Sequence, residues 1–221
     1  GKNRVERTRS TTKATIMTYA SAERHLAKSD AVMKRLIKQF GACALKPHTG
    51  RQPYESLVRA VAHQQLHGKA AEAILARFTA LYPGKFPAAE AVLATRPGEL
   101  RACGFSQAKI AAIHDIAAHT VSGTVPTLAR IRKLPDDDII ARLTQIRGVG
   151  RWTVEMLLIF HLGRPDILPV DDFGVRNGFR IAYNLDAMPK PRALADHGVR
   201  WQPYRTIASW YLWRAADAAK K

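Results

Sequence analysis

The sequence predicts an all-α protein. Apolar residues recur at helical spacing along most of the chain, and sustained alternation of apolar and polar residues is scarce. The one Asn-Gly pair, 177–178, falls inside a helical stretch rather than between two strand-like runs. A length of 221 residues fits one or two domains with a sizeable core. With 47% hydrophobic and 24% charged residues the composition excludes wholesale disorder. No segment approaches the roughly 18 uninterrupted apolar residues of a membrane span, so no membrane partner is expected.

Residues 1–14 set Lys2, Arg4, Arg7, Arg9 and Lys13 among Ser and Thr, and read as a basic tail. Ala31, Val32, Leu36, Ile37 and Phe40 then form an amphipathic stripe that Gly41 stops. Leu57, Val58, Val61, Ala62 and Leu66 form a second, entered through Pro53. Ala70, Ala73, Ile74, Phe78 and Leu81 form a third, closed by Pro83-Gly84. Further helical stretches fall at about 87–95, 106–119, 126–133, 136–146, 150–162, 173–183 and 204–219.

Charge narrows the function. Thirty-five Lys and Arg against 18 Asp and Glu leave a net +17, a field that attracts polyanions, nucleic acid first among them. Residues 1–50 alone carry eleven Lys or Arg against Glu6, Glu23 and Asp30. Cys43 and Cys103 cannot make a disulfide scaffold or supply four ligands to a zinc or iron–sulfur site. The opening Gly-Lys-Asn-Arg-Val-Glu-Arg lacks the apolar core of a secretory signal. A reducing compartment is expected, bacterial cytoplasm or eukaryotic nucleus.

The chemistry concentrates in two stretches. In Leu143-Thr-Gln-Ile-Arg-Gly148-Val149-Gly150-Arg151-Trp152-Thr153 one helix ends, two glycines flank an apolar residue, and a new helix begins. Unpaired first-turn amides and the helix dipole make such a start a phosphate site. This is the helix-hairpin-helix pattern, which holds one DNA strand through main-chain N–H groups; an ordinary αα-hairpin capped by glycines would read the same way. Downstream, Leu168-Pro169-Val170-Asp171-Asp172-Phe173-Gly174-Val175 puts two carboxylates at another helix start. A cap needs one Asp. The other is then free to face a cleft, unless both carboxylates serve the helix terminus.

Together these stretches resemble the helix-hairpin-helix–Gly/Pro/Asp superfamily of base-excision DNA glycosylases. Arg151-Trp152-Thr153 after the hairpin and Asp171-Asp172 after the proline resemble its 3-methyladenine DNA glycosylase II branch most closely. His63-Gln64-Gln65-Leu66-His67-Gly68-Lys69 and Pro203-Tyr204-Arg205 through Trp213 resemble the same branch, and the likeness runs from about residue 30 to 215. Arg147 departs from the pattern, where a proline is usual. The resemblance implies two helical subdomains with a DNA cleft between them: residues 53–164 carrying the hairpin, and residues 15–52 with 165–221 carrying the catalytic aspartate. It implies a monofunctional monomer that hydrolyses the N-glycosidic bond of alkylated purines in double-stranded DNA without a required cofactor; the alternatives are a glycosylase/lyase or mismatch glycosylase for other damaged bases, or a non-enzymatic helix-hairpin-helix DNA-binding protein.

The resemblance also implies residue roles. Asp172 matches the catalytic carboxylate, stabilising oxocarbenium character on the sugar, and Asp171 is then assigned to the helix cap. Trp152 stands where the lyase members carry a Schiff-base lysine. A tryptophan there suits stacking on a flipped cationic base, although a core role fits the sequence as well. Trp213 matches a pocket aromatic with the same ambiguity. Gln65 matches the residue that fills the gap left by the flipped nucleotide, His67 probes the minor groove beside it, and Phe105-Ser106 is a wedge into the opposite strand. Gly148, Val149, Gly150 and Arg151 hold the backbone. The main-chain carbonyls of Thr144, Ile146 and Val149 match a site for a monovalent cation, Na+ or K+. His63 and His67 stand four apart, but no third ligand completes a metal motif.

Overall fold

The computed structural model describes residues 19–220. Within them the helices begin where the sequence can close a first turn. Asp30 alone separates α1 (Ala20–Ser29) from α2 (Ala31–Phe40) and caps α2, its Oδ1 accepting from Val32 N at 2.9 Å and Met33 N at 3.4 Å. Proline opens α3 (Pro53–His63), α6 (Pro97–Ala102) and α12 (Pro191–Gly198), where its missing N–H costs nothing. Between these lie α4 (Gly68–Ala80), α5 (Ala89–Ala94), α7 (Gln107–Val121), α8 (Leu128–Ile131), α9 (Asp136–Leu143), α10 (Arg151–Phe160) and α11 (Phe173–Ala182). A 3-10 turn, Val199–Trp201, leads to α13 (Arg205–Ala218). No strand occurs among the described residues, so the all-α expectation holds. The basic tail at 1–14 lies outside the described residues.

The helices bury two apolar clusters. One gathers Leu57, Val58, Phe78, Ile113, Ile116 and Leu158 from α3, α4, α7 and α10, and runs from Leu45 to Ile167 in sequence. Phe78 is its hub, meeting Tyr82, Phe86 and Phe105 edge to face at 5.5–5.9 Å. The other joins Leu26 and Met33 of α1 and α2 to Val175, Phe179, Trp201, Tyr211 and Leu212, so both ends of the described chain meet in one core. Trp213 packs against both clusters.

Two contacts fix the second cluster. Helices α11 and α13 cross so closely that a Cβ on Gly178 would stand 1.9 Å from Leu212 O, a backbone atom that cannot yield. The other is the Asp30 carboxylate, 7% exposed. Its Oδ2 accepts from Tyr183 Oη, from Trp201 Nε1 at 3.0 Å and from His197 Nε2 at 3.0 Å. Burial pushes this carboxyl up, but the bonds from Tyr183, Trp201 and His197 together hold it below the ordinary carboxylate range. Burial pushes His197 down, against the opposing pull of Asp30.

Gly178→Ala should separate α11 from α13 and cost about 1–3 kcal/mol or more in denaturant unfolding. Acid should also weaken the fold in two steps of the same sign. His197 binds its proton less readily folded than unfolded, so stability declines as pH falls below about 6.5. Asp30 contributes stability above the ordinary value of 3.8 and loses it as pH falls through its lower folded value. Asp30→Asn should be less stable at neutral pH and show a smaller loss below pH 4 in thermal melts.

Candidate active site at the junction of the two clusters

Helices α9 and α10 form the hairpin predicted from the sequence. Gly148 adopts φ +76°, a backbone that other residues rarely take, and a Cβ there would lie 2.8 Å from that of Ala112 on α7. The turn is fastened on both sides: Arg147 N donates to Asp115 Oδ2 at 2.7 Å, and Gln64 Nε2 to Gly148 O at 3.0 Å. The Val149 amide closes on Ile146 O at 3.1 Å. The amides of Gly148, Gly150, Arg151, Trp152 and Thr153 meet no protein acceptor among the described residues, leaving a row of donors at the start of α10. The Arg151 guanidinium pairs back onto buried Glu155 at 3.0 Å. Burial pushes the Glu155 carboxyl up, and Arg151 opposes the shift.

At the junction stands Asp172. Its Oδ1 accepts from Val175 N at 2.7 Å and from Trp213 Nε1 at 2.8 Å, and its Oδ2 from Trp152 Nε1 at 2.8 Å. Three helices therefore converge on one carboxylate: α11 with its own amide, α13 with Trp213 and α10 with Trp152. Phe160 stacks on Trp213, centroids 5.7 Å apart and planes 27° apart, and steadies that ring. Trp152 is 47% exposed, which removes the core reading for it. Its indole also walls a pocket of about 440 Å³ with Ala60, His63, Gln64, Gln65, Thr153 and Met156.

Across that pocket the turn after α3 is held at its base. Lys109 Nζ donates to Ala62 O at 2.8 Å and Gln64 O at 2.7 Å. Gln65 itself is exposed and sits at φ +55°, a strained setting for a side chain of its kind and one often found at functional sites. His67 is exposed at the N-cap of α4, while His63 pairs with Glu72 at 2.9 Å.

Two sequence assignments need correction. Asp172, not Asp171, caps α11; Asp171 is exposed and accepts none of the helix amides. Assigning one aspartate per task overlooked that a carboxylate has two oxygens, so one can cap while the other serves the cleft. Phe105 is not a wedge: it is 1% exposed and packs on Phe78, because Gly104 at φ +107° turns it inward. Its neighbour Ser106 is exposed and caps α7, accepting from Lys109 N at 3.3 Å. Among the hairpin carbonyls, that of Ile146 takes the Val149 amide, and the side chains of Ile146 and Val149 are buried. Sequence reading missed the support residues: Gln64, Lys109, Asp115 and Phe160 act through contacts distant along the chain, which no local spacing reveals.

Residues 58–203 match the HhH-GPD superfamily of base excision DNA repair proteins. The chain is 43% identical over 208 residues to DNA-3-methyladenine glycosylase 1 of Schizosaccharomyces pombe, covering 92% of this chain and 90% of that one. It superposes on a structure of the S. pombe 3-methyladenine DNA glycosylase in complex with abasic DNA with a TM-score of 0.79, at 44% identity, over 91% of this chain and 98% of that one. A Bacillus halodurans DNA-3-methyladenine glycosidase structure gives a TM-score of 0.82 at 33% identity, over 92% and 93% of the two chains.

Phe105→Ala should behave as a core truncation, costing about 3–5 kcal/mol of stability. At a temperature where the variant is folded, its affinity for duplex DNA should match that of the unaltered protein in a titration. A selective loss of DNA binding without loss of stability would restore the wedge.

Proposed function

Because the chain belongs to the HhH-GPD superfamily of base excision DNA repair proteins, we propose that it is a monofunctional DNA glycosylase that releases alkylated purines of the 3-methyladenine and 7-methylguanine type from duplex DNA. The observation that carries this reading is the place of Trp152: one indole walls the pocket and donates to Asp172. A base turned out of the stack and laid against Trp152 has its glycosidic bond beside that carboxylate. Stacking on an aromatic ring contributes about 1–3 kcal/mol per base, and a cationic base adds attraction to the ring face.

The chemistry then needs little else. Breaking the bond builds positive charge on the sugar, and the Asp172 carboxylate stabilises it and orients the attacking water. An N-alkylated purine already carries positive charge and leaves without a second carboxylic acid. No cofactor is called for. Trp152, in the position of the lyase lysine, has no amine to form a Schiff base, so the product is a free base and an intact strand with an abasic site.

DNA is gripped without reading its sequence. The open amides of Gly148, Gly150, Arg151, Trp152 and Thr153 receive phosphate oxygens, and the net charge of +17 draws in the duplex. Gln65, which lines the pocket, and His67, exposed two residues further on, fill and probe the space the flipped nucleotide leaves. The carbonyls of Thr144, Ile146 and Val149 are the groups that would hold Na+ or K+; neutral carbonyl oxygens suit an alkali ion, which would add positive charge beside the phosphates. Work on genomic DNA fits bacterial cytoplasm or a eukaryotic nucleus. No described helix is long and apolar enough to cross a membrane.

Incubation with methylated duplex DNA should release 3-methyladenine or 7-methylguanine as free base, identified by mass spectrometry. The strand should stay whole until alkali is added, and borohydride should trap no adduct. A trapped protein–DNA adduct would show a lyase. Tight, salt-sensitive DNA binding with no base released would show a binding protein instead.

A further inference from the structure

The three donors on Asp172 are not equivalent, and the difference assigns work to each oxygen. Oδ1 is held twice, by the α11 amide of Val175 and by Trp213, whose ring is itself stacked on Phe160. Oδ2 is held once, by an indole that is 47% exposed and forms the wall of the pocket the base must enter. We propose that Oδ1 is the fixed oxygen, with Trp213 as its positioning residue, and that Oδ2 is the reacting oxygen, which Trp152 covers in the free protein and releases when the nucleotide enters. This rests on the glycosylase reading of the site.

Glycine 174 supports the assignment independently. It lies on the first turn of α11, between Asp172 and Trp213. A Cβ there would stand 2.9 Å from Trp213 Cδ1, 3.1 Å from Trp213 Nε1 and 3.1 Å from Asp172 Oδ1. A side chain at 174 would press on both partners of the Oδ1 bond, and glycine leaves that bond its room. The Trp152 bond is made instead by a half-exposed side chain, as expected of a contact that must open.

The assignment distinguishes two conservative variants. Trp213→Phe keeps the ring against Phe160 and removes the N–H, so single-turnover excision should slow by about tenfold to a hundredfold, the worth of a hydrogen bond to a charged group. Affinity for a duplex carrying a tetrahydrofuran abasic-site analogue should change little. Gly174→Ala should reproduce that rate loss with every donor still present. Trp152→Phe keeps the pocket wall and removes a bond that must break anyway, so it should slow excision less than Trp213→Phe does. The reverse order would overturn the assignment.

A readout independent of turnover uses the indole ¹⁵N–H resonances of the full chain, identified by tryptophan replacement. Asp172→Asn should displace the Trp152 and Trp213 signals. Adding the tetrahydrofuran duplex to the unaltered protein should carry the Trp152 signal toward its Asp172→Asn position and leave Trp213 near its own. Movement of Trp213 with retention of Trp152 would refute the division, whether or not bases are released. A protein that follows the expected pattern but releases no alkylated base would instead refute the glycosylase reading.

Discussion

The Asp172 carboxylate and the three N–H groups that meet it bind the site to the fold. Its position follows from a backbone contact rather than from loops: Gly178 lets α11 lie against Leu212 of α13, and the next residue, Trp213, then falls over Gly174 and reaches Oδ1. Helix α10 belongs to the other cluster and closes the arrangement through Trp152. The carboxylate thus sits at the seam between two cores, and a disturbance of their packing is felt directly at its oxygens.

The kind of donor matters as much as the number. Indole and backbone N–H groups stabilise a carboxylate without carrying a formal charge, unlike the Arg–Asp pair at Arg205 and Asp166 elsewhere in the molecule. A guanidinium on Asp172 would cancel much of the negative field that a developing sugar cation requires. Cationic groups here serve other tasks: Lys109 ties down the turn before Gln65, and the Arg151 guanidinium faces back onto Glu155. In the proposed glycosylase the duplex is received by neutral amides within a basic field, so an anionic carboxylate can stand beside an anionic substrate.

Much of this was legible in the sequence. Helical periodicity carried the fold class because most helices are amphipathic over several turns, as with Leu57, Val58 and Val61 on α3. The helices α1, α6 and α12 escaped it. Helix α1 buries just Ala22 and Leu26, α12 just Leu194 and Gly198, and α6 is six residues long, so none carries a strong stripe. The hairpin and the aspartate pair were visible because a glycine turn and a cap have local signatures. What spacing along the chain cannot reveal is convergence. That Trp152 and Trp213, 61 positions apart in sequence number, both donate to Asp172 follows from tertiary packing alone. The same limit misplaced Phe105, whose burial depends on Phe78, and assigned the cap to Asp171 when Asp172 performs it.

We propose that Asp172 is the catalytic carboxylate rather than a cap with incidental neighbours. That role is tested most directly by measuring, on Asp172→Asn, both single-turnover release of 7-methylguanine from duplex DNA and affinity for that duplex. Asparagine keeps an oxygen to cap α11 and removes the charge, so the account predicts a folded protein that binds DNA at least as tightly and releases almost no base. Base release at the rate of the unaltered protein would contradict it.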